Sequence, residues 1–210
     1  MRSETWLNDY MFTVSNFFSE KECDEHIAMG EDIGFEEAKV TTQGGSVRAA
    51  NVRNNDRVMF KSQDIADRLW SYAEDFVPVE FEGRQAIGVN ELIRFYRYSE
   101  GQQFIWHQDF PYERDNGEKS FLTLLIYLND GFEGGETLFD DSCSEEPFDD
   151  VTIVPKKGMA LFFEHSTHHK GEVVASGIKY VMRTDVMYSA LEEANYEESA
   201  DFDSDVDNWE

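Results

Sequence analysis

Phe104-Ile105-Trp106-His107-Gln108-Asp109 reads as a short β-strand, and runs of the same kind flank it on both sides. Upstream lies Val89 to Tyr98. Downstream follow Phe121 to Leu128, Glu136 to Phe139, Val151 to Val154, Met159 to Phe163, His169 to Val174 and Ile178 to Tyr188, broken by Gly, Asp and Asn. Short β-type runs at this spacing imply a sandwich or barrel. Before Val89 the pattern is helical instead. Ser19-Glu20-Lys21-Glu22 has the form of a capping box, Cys23, His26 and Ile27 fall near one face, and Gly30 and Gly34 end the pattern. Ser62 opens a second helix in which Ile65, Leu69, Trp70, Ala73 and Phe76 recur at helical spacing until Pro78 closes it. Helices first and strands afterwards point to a mainly β (α+β) domain, a jelly roll supported on one side by the N-terminal helices. The expected division is a helical and strand support region of the same domain over residues 1–88, the β core over 89–190, and an acidic tail over 191–210.

The opening stretch also carries chemistry. In a strand the side chains at i and i+2 point to one face, so His107 and Asp109 can grip one metal ion from adjacent corners. His169, far downstream, would complete the set. Two imidazoles and one carboxylate on one face of an octahedron leave three positions open, which suits Fe(II) that must also hold a cosubstrate and dioxygen. An isolated His-x-Asp is a weak signal, and the same donors also bind zinc. No general-base glutamate stands in a local zinc motif, which makes a zinc hydrolase the weakest reading. A non-catalytic jelly-roll module that binds a divalent metal stays open. The other histidines, His26, His165 and His168, read as polar surface or core residues: His168 would face away from its neighbour on a strand, and His165 precedes the strand.

At 210 residues the chain is long enough for one domain with a substantial core, and its 14% aromatic content is that of a globular protein. The net charge of -26 argues against nucleic acid or an anionic membrane as a direct partner, because phosphates would be repelled. Glu192 to Glu210 contribute nine acidic residues and no basic one, a density that favours a solvated, disordered tail. Taking those nine from the total leaves about -17, so the body is acidic too. Asp140 to Asp150 reads as an exposed acidic loop. Cys23 and Cys143 show neither metal-binding spacing nor a disulfide framework and are read as reduced thiols. Met1 to Tyr10 lacks the apolar stretch of a signal peptide and no run approaches a membrane span, so a cytoplasmic location is expected.

The residues around the His-x-Asp sharpen the reading. After Gly101-Gln102 and the His-x-Asp come Thr123-Leu124-Leu125-Ile126-Tyr127-Leu128-Asn129, Gly134-Gly135-Glu136-Thr137-Leu138-Phe139, Pro155, Gly158, Met159 to Phe163, His169-Lys170-Gly171, Gly177-Ile178-Lys179-Tyr180 and Arg183-Thr184-Asp185-Val186-Met187-Tyr188. This ordered set, over about residues 89–188, resembles the prolyl 4-hydroxylase-like branch of the Fe(II)/2-oxoglutarate-dependent dioxygenases. The resemblance implies a double-stranded β-helix (jelly roll, cupin-like) core, with iron held by His107, Asp109 and His169. It implies 2-oxoglutarate and O2 as cosubstrates, ascorbate as reductant, and Lys179, ten residues after His169, as the partner of the far carboxylate of 2-oxoglutarate. Tyr127 matches a tyrosine whose hydroxyl reaches that carboxylate in relatives, and Tyr98 matches another pocket tyrosine, with a core aromatic as the alternative for each. Chemistry asks for a basic residue there in any case, since a buried dianion without a paired carboxylate would cost several kcal/mol. Arg183, on the same strand face as Lys179, is the rival anchor or a structural partner of acidic groups.

The same resemblance implies hydroxylation of a prolyl residue in a protein or peptide. Related halogenases lack the carboxylate ligand, so the presence of Asp109 favours hydroxylation. Another side chain or a small molecule is the alternative acceptor, because fold and iron site do not fix the substrate. The acidic body and tail suggest a basic target through electrostatic steering, with solubility or a salty environment as the rival explanation. Arg53-Asn54-Asn55-Asp56-Arg57 reads either as part of the substrate entrance or as a solvated loop. Oligomeric state is not legible.

Overall fold

Strand Lys119–Tyr127 is apolar on both faces, and it takes the centre of the main sheet, between Ala160–Glu164 and Lys179–Tyr188. The computed structural model describes residues 1–8, 11–37, 40–42, 45–47, 54–143 and 148–191. Among these the main sheet runs Ser3–Asn8, Met11–Ser15, Ala160–Glu164, Lys119–Tyr127, Lys179–Tyr188, Leu92–Tyr98, Asp56–Lys61 and Glu36–Glu37. Arg84–Val89 also pairs with Lys179–Tyr188, and Glu80–Phe81 pairs with Arg84–Val89. A second sheet has the order Phe104–His107, His168–Gly171, Thr137–Asp140 and Val151–Ile153. All pairings are antiparallel, as a jelly roll requires.

The period of two divides the core. Leu122, Leu124, Ile126, Ala160, Phe162, Met182 and Val186 point to one side of the main sheet, where Cys23 of helix Glu20–Ile33 and Ala66, Leu69 and Ala73 of helix Gln63–Ala73 cover them. Leu161, Phe163, Val181 and Tyr127 point to the other side, towards Phe139 and Ile153 of the second sheet. The candidate site lies on that second side, between the two sheets, so the helices support the sheet from behind.

Several boundaries differ from the sequence reading. The capping box forms as expected, with Glu22 N donating to Ser19 Oγ at 3.2 Å and Ser19 N to Glu22 Oε2 at 2.8 Å. The helix then passes through Gly30 and is capped only at Gly34, whose φ of 95° suits a residue without a side chain. Gly30 sits inside because Phe35 packs so close that a Cβ would meet its ring at 3.0 Å. The second helix stops at Ala73, well before Pro78. The run from Val89 to Tyr98 is interrupted at Asn90, whose Oδ1 accepts from Leu92 N at 3.0 Å. Strand Phe104–His107 ends before Asp109. Cys23 is buried and Cys143 exposed, both free. No helix among the described residues is long and apolar enough to cross a membrane. The acidic tail from Glu192 and residue Arg53 lie outside the described residues.

Candidate metal centre

His107 and His169 come together because their strands pair in register, His107 directly opposite His169, which brings the rings to 4.2 Å between centroids. Each ring is oriented by the backbone. His107 Nδ1 bonds Ile105 O at 2.7 Å and His169 Nδ1 bonds Thr167 O at 2.8 Å. A carbonyl can only accept, so each Nδ1 carries the proton and each Nε2 is left with a lone pair. Both Nε2 atoms face Asp109: His107 Nε2 lies 3.9 Å from Oδ1, and His169 Nε2 3.8 Å from Oδ2. The three donor atoms all lie within 4.8 Å of one another. Two neutral imidazoles and a carboxylate converging in this way fit a divalent metal ion.

Asp109 reaches this position without being in the strand. Its N–H donates to His165 O at 2.9 Å, which fixes the chain after His107. Its carboxylate is then held on both oxygens, by Arg183 Nη1 at 2.8 Å from Oδ1 and by the Thr123 hydroxyl at 2.6 Å from Oδ2. Burial alone would raise the Asp109 carboxyl, but the Arg183 guanidinium, with His169, His107 and Thr123, holds it below the usual carboxylate range. Burial, reinforced by the neighbouring His169, pushes His107 down to about 3, and burial lowers His169 as well. Asp109 is therefore ionised and both imidazoles are neutral near neutral pH, the protonation states that metal ligation needs.

Lys179 and Arg183 both line the cavity beside these groups, which contains about 450 Å³ of space including its open mouth. The Lys179 ammonium is buried between Tyr98 and Tyr127, 5.4 and 5.5 Å from their ring centres, and donates to Gly135 O at 2.6 Å. Burial pushes it down to about 7, partly opposed by Glu136. Tyr98 lines the cavity, but Tyr127 does not. Its hydroxyl is paired with Thr137 Oγ1 at 2.7 Å, and Thr137 is the residue on the wall. Arg183 contacts Asp109, and its Nη2 lies 3.4 Å from Asp185 Oδ1.

His168 turns to the opposite face of its strand, where it stacks on Trp106 at 4.9 Å and pairs with Asp140 at 2.7 Å. His26 is buried behind the main sheet, stacked on Phe18. His165 has a larger part than its sequence reading gave it. It is 4% exposed, and its ring bridges Thr123 Oγ1 at 2.9 Å and Ser120 Oγ at 2.8 Å, directly behind Asp109. Thr123, Thr137 and Tyr96 on the wall were also missed as site residues, although Thr123 and Thr137 stand within the quoted motifs. Within the 53–57 stretch, Asn54 Oδ1 accepts from Gln103 N at 2.8 Å and so braces the turn before the His-x-Asp strand, while Asp56 pairs at 2.9 Å with Arg97, its cross-strand neighbour in Leu92–Tyr98.

Residues 93–184 match the family model described as 2OG-Fe(II) oxygenase superfamily. Among curated proteins, Prolyl 4-hydroxylase 2 of Arabidopsis thaliana is 27% identical over 175 residues, covering 72% of this chain and 55% of that protein. Probable prolyl 4-hydroxylase 8 of the same plant is 25% identical over 198 residues, covering 80% and 65%. The chain thus spans between about half and two thirds of the length of these relatives. Among solved structures, the viral collagen prolyl hydroxylase of Paramecium Bursaria Chlorella virus-1, in complex with 2OG, aligns with a TM-score of 0.61 at 23% identity, covering 86% of this chain and 97% of that one. A prolyl hydroxylase from Trichoplax adhaerens, in complex with a hypoxia inducible factor oxygen degradation domain peptide fragment, aligns at 0.63 with 16% identity, covering 85% and 84%. These likenesses agree with the jelly roll described above.

Proposed function

We propose, from the premise that this chain belongs to the 2OG-Fe(II) oxygenase superfamily through residues 93–184, that it hydroxylates a prolyl residue in a protein or peptide. The observation that carries the reading is the convergence of two neutral Nε2 lone pairs on an ionised, doubly held Asp109 at the end of a cavity containing a buried ammonium. His107, Asp109 and His169 would hold Fe(II). When bound, Fe(II) with 2-oxoglutarate and dioxygen supplies the oxidation of C–H to C–OH, as 2-oxoglutarate goes to succinate and carbon dioxide.

The chain's own residues do the rest. Ile105 O and Thr167 O keep the two imidazoles in the tautomer that leaves Nε2 free. Lys179 is the proposed partner of the far carboxylate of 2-oxoglutarate: it is buried in the cavity wall, burial pushes its ammonium down to about 7, and it donates to Gly135 O, so an anion beside it would favour the charged form. Phe104, Leu125, Phe163 and Val181 line the wall and keep water from the reacting centre. A basic, proline-containing target is proposed on the net charge of -26. Ascorbate as reductant and a cytoplasmic setting belong to the same proposal.

Anaerobic addition of Fe(II) and 2-oxoglutarate should give a weak visible charge-transfer band. An oxygen pulse should then release succinate, faster with a basic proline-containing peptide than without it. Metal binding with neither the band nor succinate would replace the enzyme by a non-catalytic metal-binding module.

A further inference from the structure

Arg183 touches both the candidate ligand set and the cavity wall. Its Nη1 lies 2.8 Å from Asp109 Oδ1, and its Nη2 lies 3.4 Å from both Thr123 Oγ1 and Asp185 Oδ1. Behind it, Asp185 Oδ2 meets Arg94 Nη1 at 2.9 Å. Asp109, Arg183, Asp185 and Arg94 therefore alternate in sign through a largely buried ladder whose four charges sum to zero. Thr123 donates to the second oxygen of Asp109, so both oxygens carry donors.

A divalent cation ligated by Asp109 would share that carboxylate with a guanidinium that cannot give up its proton. In a buried site this repulsion is poorly screened. An incoming anion relieves it. The Arg183 Nε–H is buried and has no hydrogen-bond partner among the described residues, so the guanidinium keeps unused donor capacity beside the cavity that its residue lines.

Resting on the superfamily reading, we propose that Arg183 makes tight metal binding conditional on the anionic cosubstrate. It holds Asp109 in the metal-free site, opposes a divalent cation alone, and tolerates the cation when the carboxylate of a 2-oxo acid arrives with it. Arg183 is a positioning residue in this scheme, acting through Asp109 and through charge.

The test is titration of the full chain with Mn(II), a metal that does not turn over, followed by calorimetry or by the spectrum of free Mn(II), with and without 2-oxoglutarate. In the wild type, 2-oxoglutarate should tighten Mn(II) binding about tenfold or more. Arg183→Gln should bind Mn(II) alone about tenfold more tightly than the wild type and lose most of the gain from 2-oxoglutarate, whereas Arg183→Lys should retain it. If the Gln variant does not fold, Arg183→Met, which keeps an apolar stem and removes the charge, discriminates in the same way. Metal affinity that falls equally with and without 2-oxoglutarate in these variants would make Arg183 a purely structural clamp and overturn the proposal. A wild type that binds no Mn(II) under either condition would overturn the superfamily reading of the site along with it.

Discussion

The Thr123 hydroxyl donates a 2.6 Å hydrogen bond to Asp109 Oδ2. Having given its proton there, it must accept from His165, so His165 carries its proton on Nδ1, 2.9 Å away. His165 Nε2 then accepts from the Ser120 hydroxyl at 2.8 Å, and Ser120 Oγ is free to accept from Tyr112 N at 2.8 Å. Each donor in this chain has an acceptor, and the whole arrangement fixes one face of the candidate metal site.

Thr123→Val keeps the shape and removes the donor. Partners of metal ligands are typically worth 10–100-fold in affinity, so Mn(II) should bind roughly tenfold or more weakly, with the melting temperature little changed. Unchanged Mn(II) affinity would mean that Asp109 is positioned by Arg183 alone.

Removing a ligand should act differently. His107→Ala and Asp109→Ala are expected to reduce 2-oxoglutarate-dependent succinate release to background while circular dichroism stays that of the wild type. Full turnover in Asp109→Ala would exclude the facial His-Asp-His set. In Asp109→Ala the Arg183 guanidinium also loses its 2.8 Å partner and is left with the longer ion pair to Asp185, so some loss of stability should accompany the loss of activity.

Lys179 sets function against stability. Keeping an ammonium at a site where burial pushes it down to about 7 costs the metal-free protein on the order of a few kcal/mol. Lys179→Met should therefore raise the melting temperature by several degrees while weakening 2-oxoglutarate binding by roughly a hundredfold, the effect of leaving a buried carboxylate unpaired. A variant that melts lower and binds 2-oxoglutarate normally would mark Lys179 as a structural residue bonded to Gly135.

The strands and the His-x-Asp pair were legible because their signals are local, whereas His169 was singled out from His165 and His168 by its offsets to Gly171 and Lys179 in the family resemblance. The apolar run Phe121 to Leu128 is legible as a strand, though its central place in the sheet is not, and the capping box identifies the first helix. What stayed hidden depends on pairing. The position of Asp109 comes from a bond to His165 O rather than from continuing the strand. Arg183 could be read as anchor or structural partner until the register set it opposite Leu125, with Asp185 opposite Thr123. His165 was hidden for a subtler reason: a register shift between Ser120 and Leu122 turns Ser120 towards the same imidazole that Thr123 meets, against simple alternation.

Gly158 links the N-terminal segment to the core and offers a stability test remote from the cavity. Its N–H donates to Tyr127 O at 2.8 Å, and its carbonyl accepts from Phe18 N at 3.0 Å. Its φ is +80°, and a Cβ there would lie 2.3 Å from Phe18 O, a backbone atom that cannot swing aside. Gly158→Ala should cost about 2 kcal/mol or more in urea unfolding, with residual activity per folded molecule near that of the wild type. A neutral effect would show that the Phe18 segment can move away without loss.

The pH dependence of 2-oxoglutarate binding follows from Lys179. Without ligand its ammonium titrates near 7, because burial disfavours the charged form. The far carboxylate of 2-oxoglutarate favours that charged form, so the protonated protein is the one that binds. Below pH 7 the lysine is already charged and the Kd should be flat. Above it, each binding event must first recover a proton, and the Kd should rise towards about tenfold per pH unit until the ligand-bound lysine itself begins to titrate. Titrating the Mn(II)-loaded protein with 2-oxoglutarate at pH 6, 7 and 8 reads this directly. Lys179→Arg, which stays charged throughout, should flatten the upper half of the profile. A wild-type Kd that does not change between pH 7 and 8 would mean that the ammonium is not the group that holds the far carboxylate.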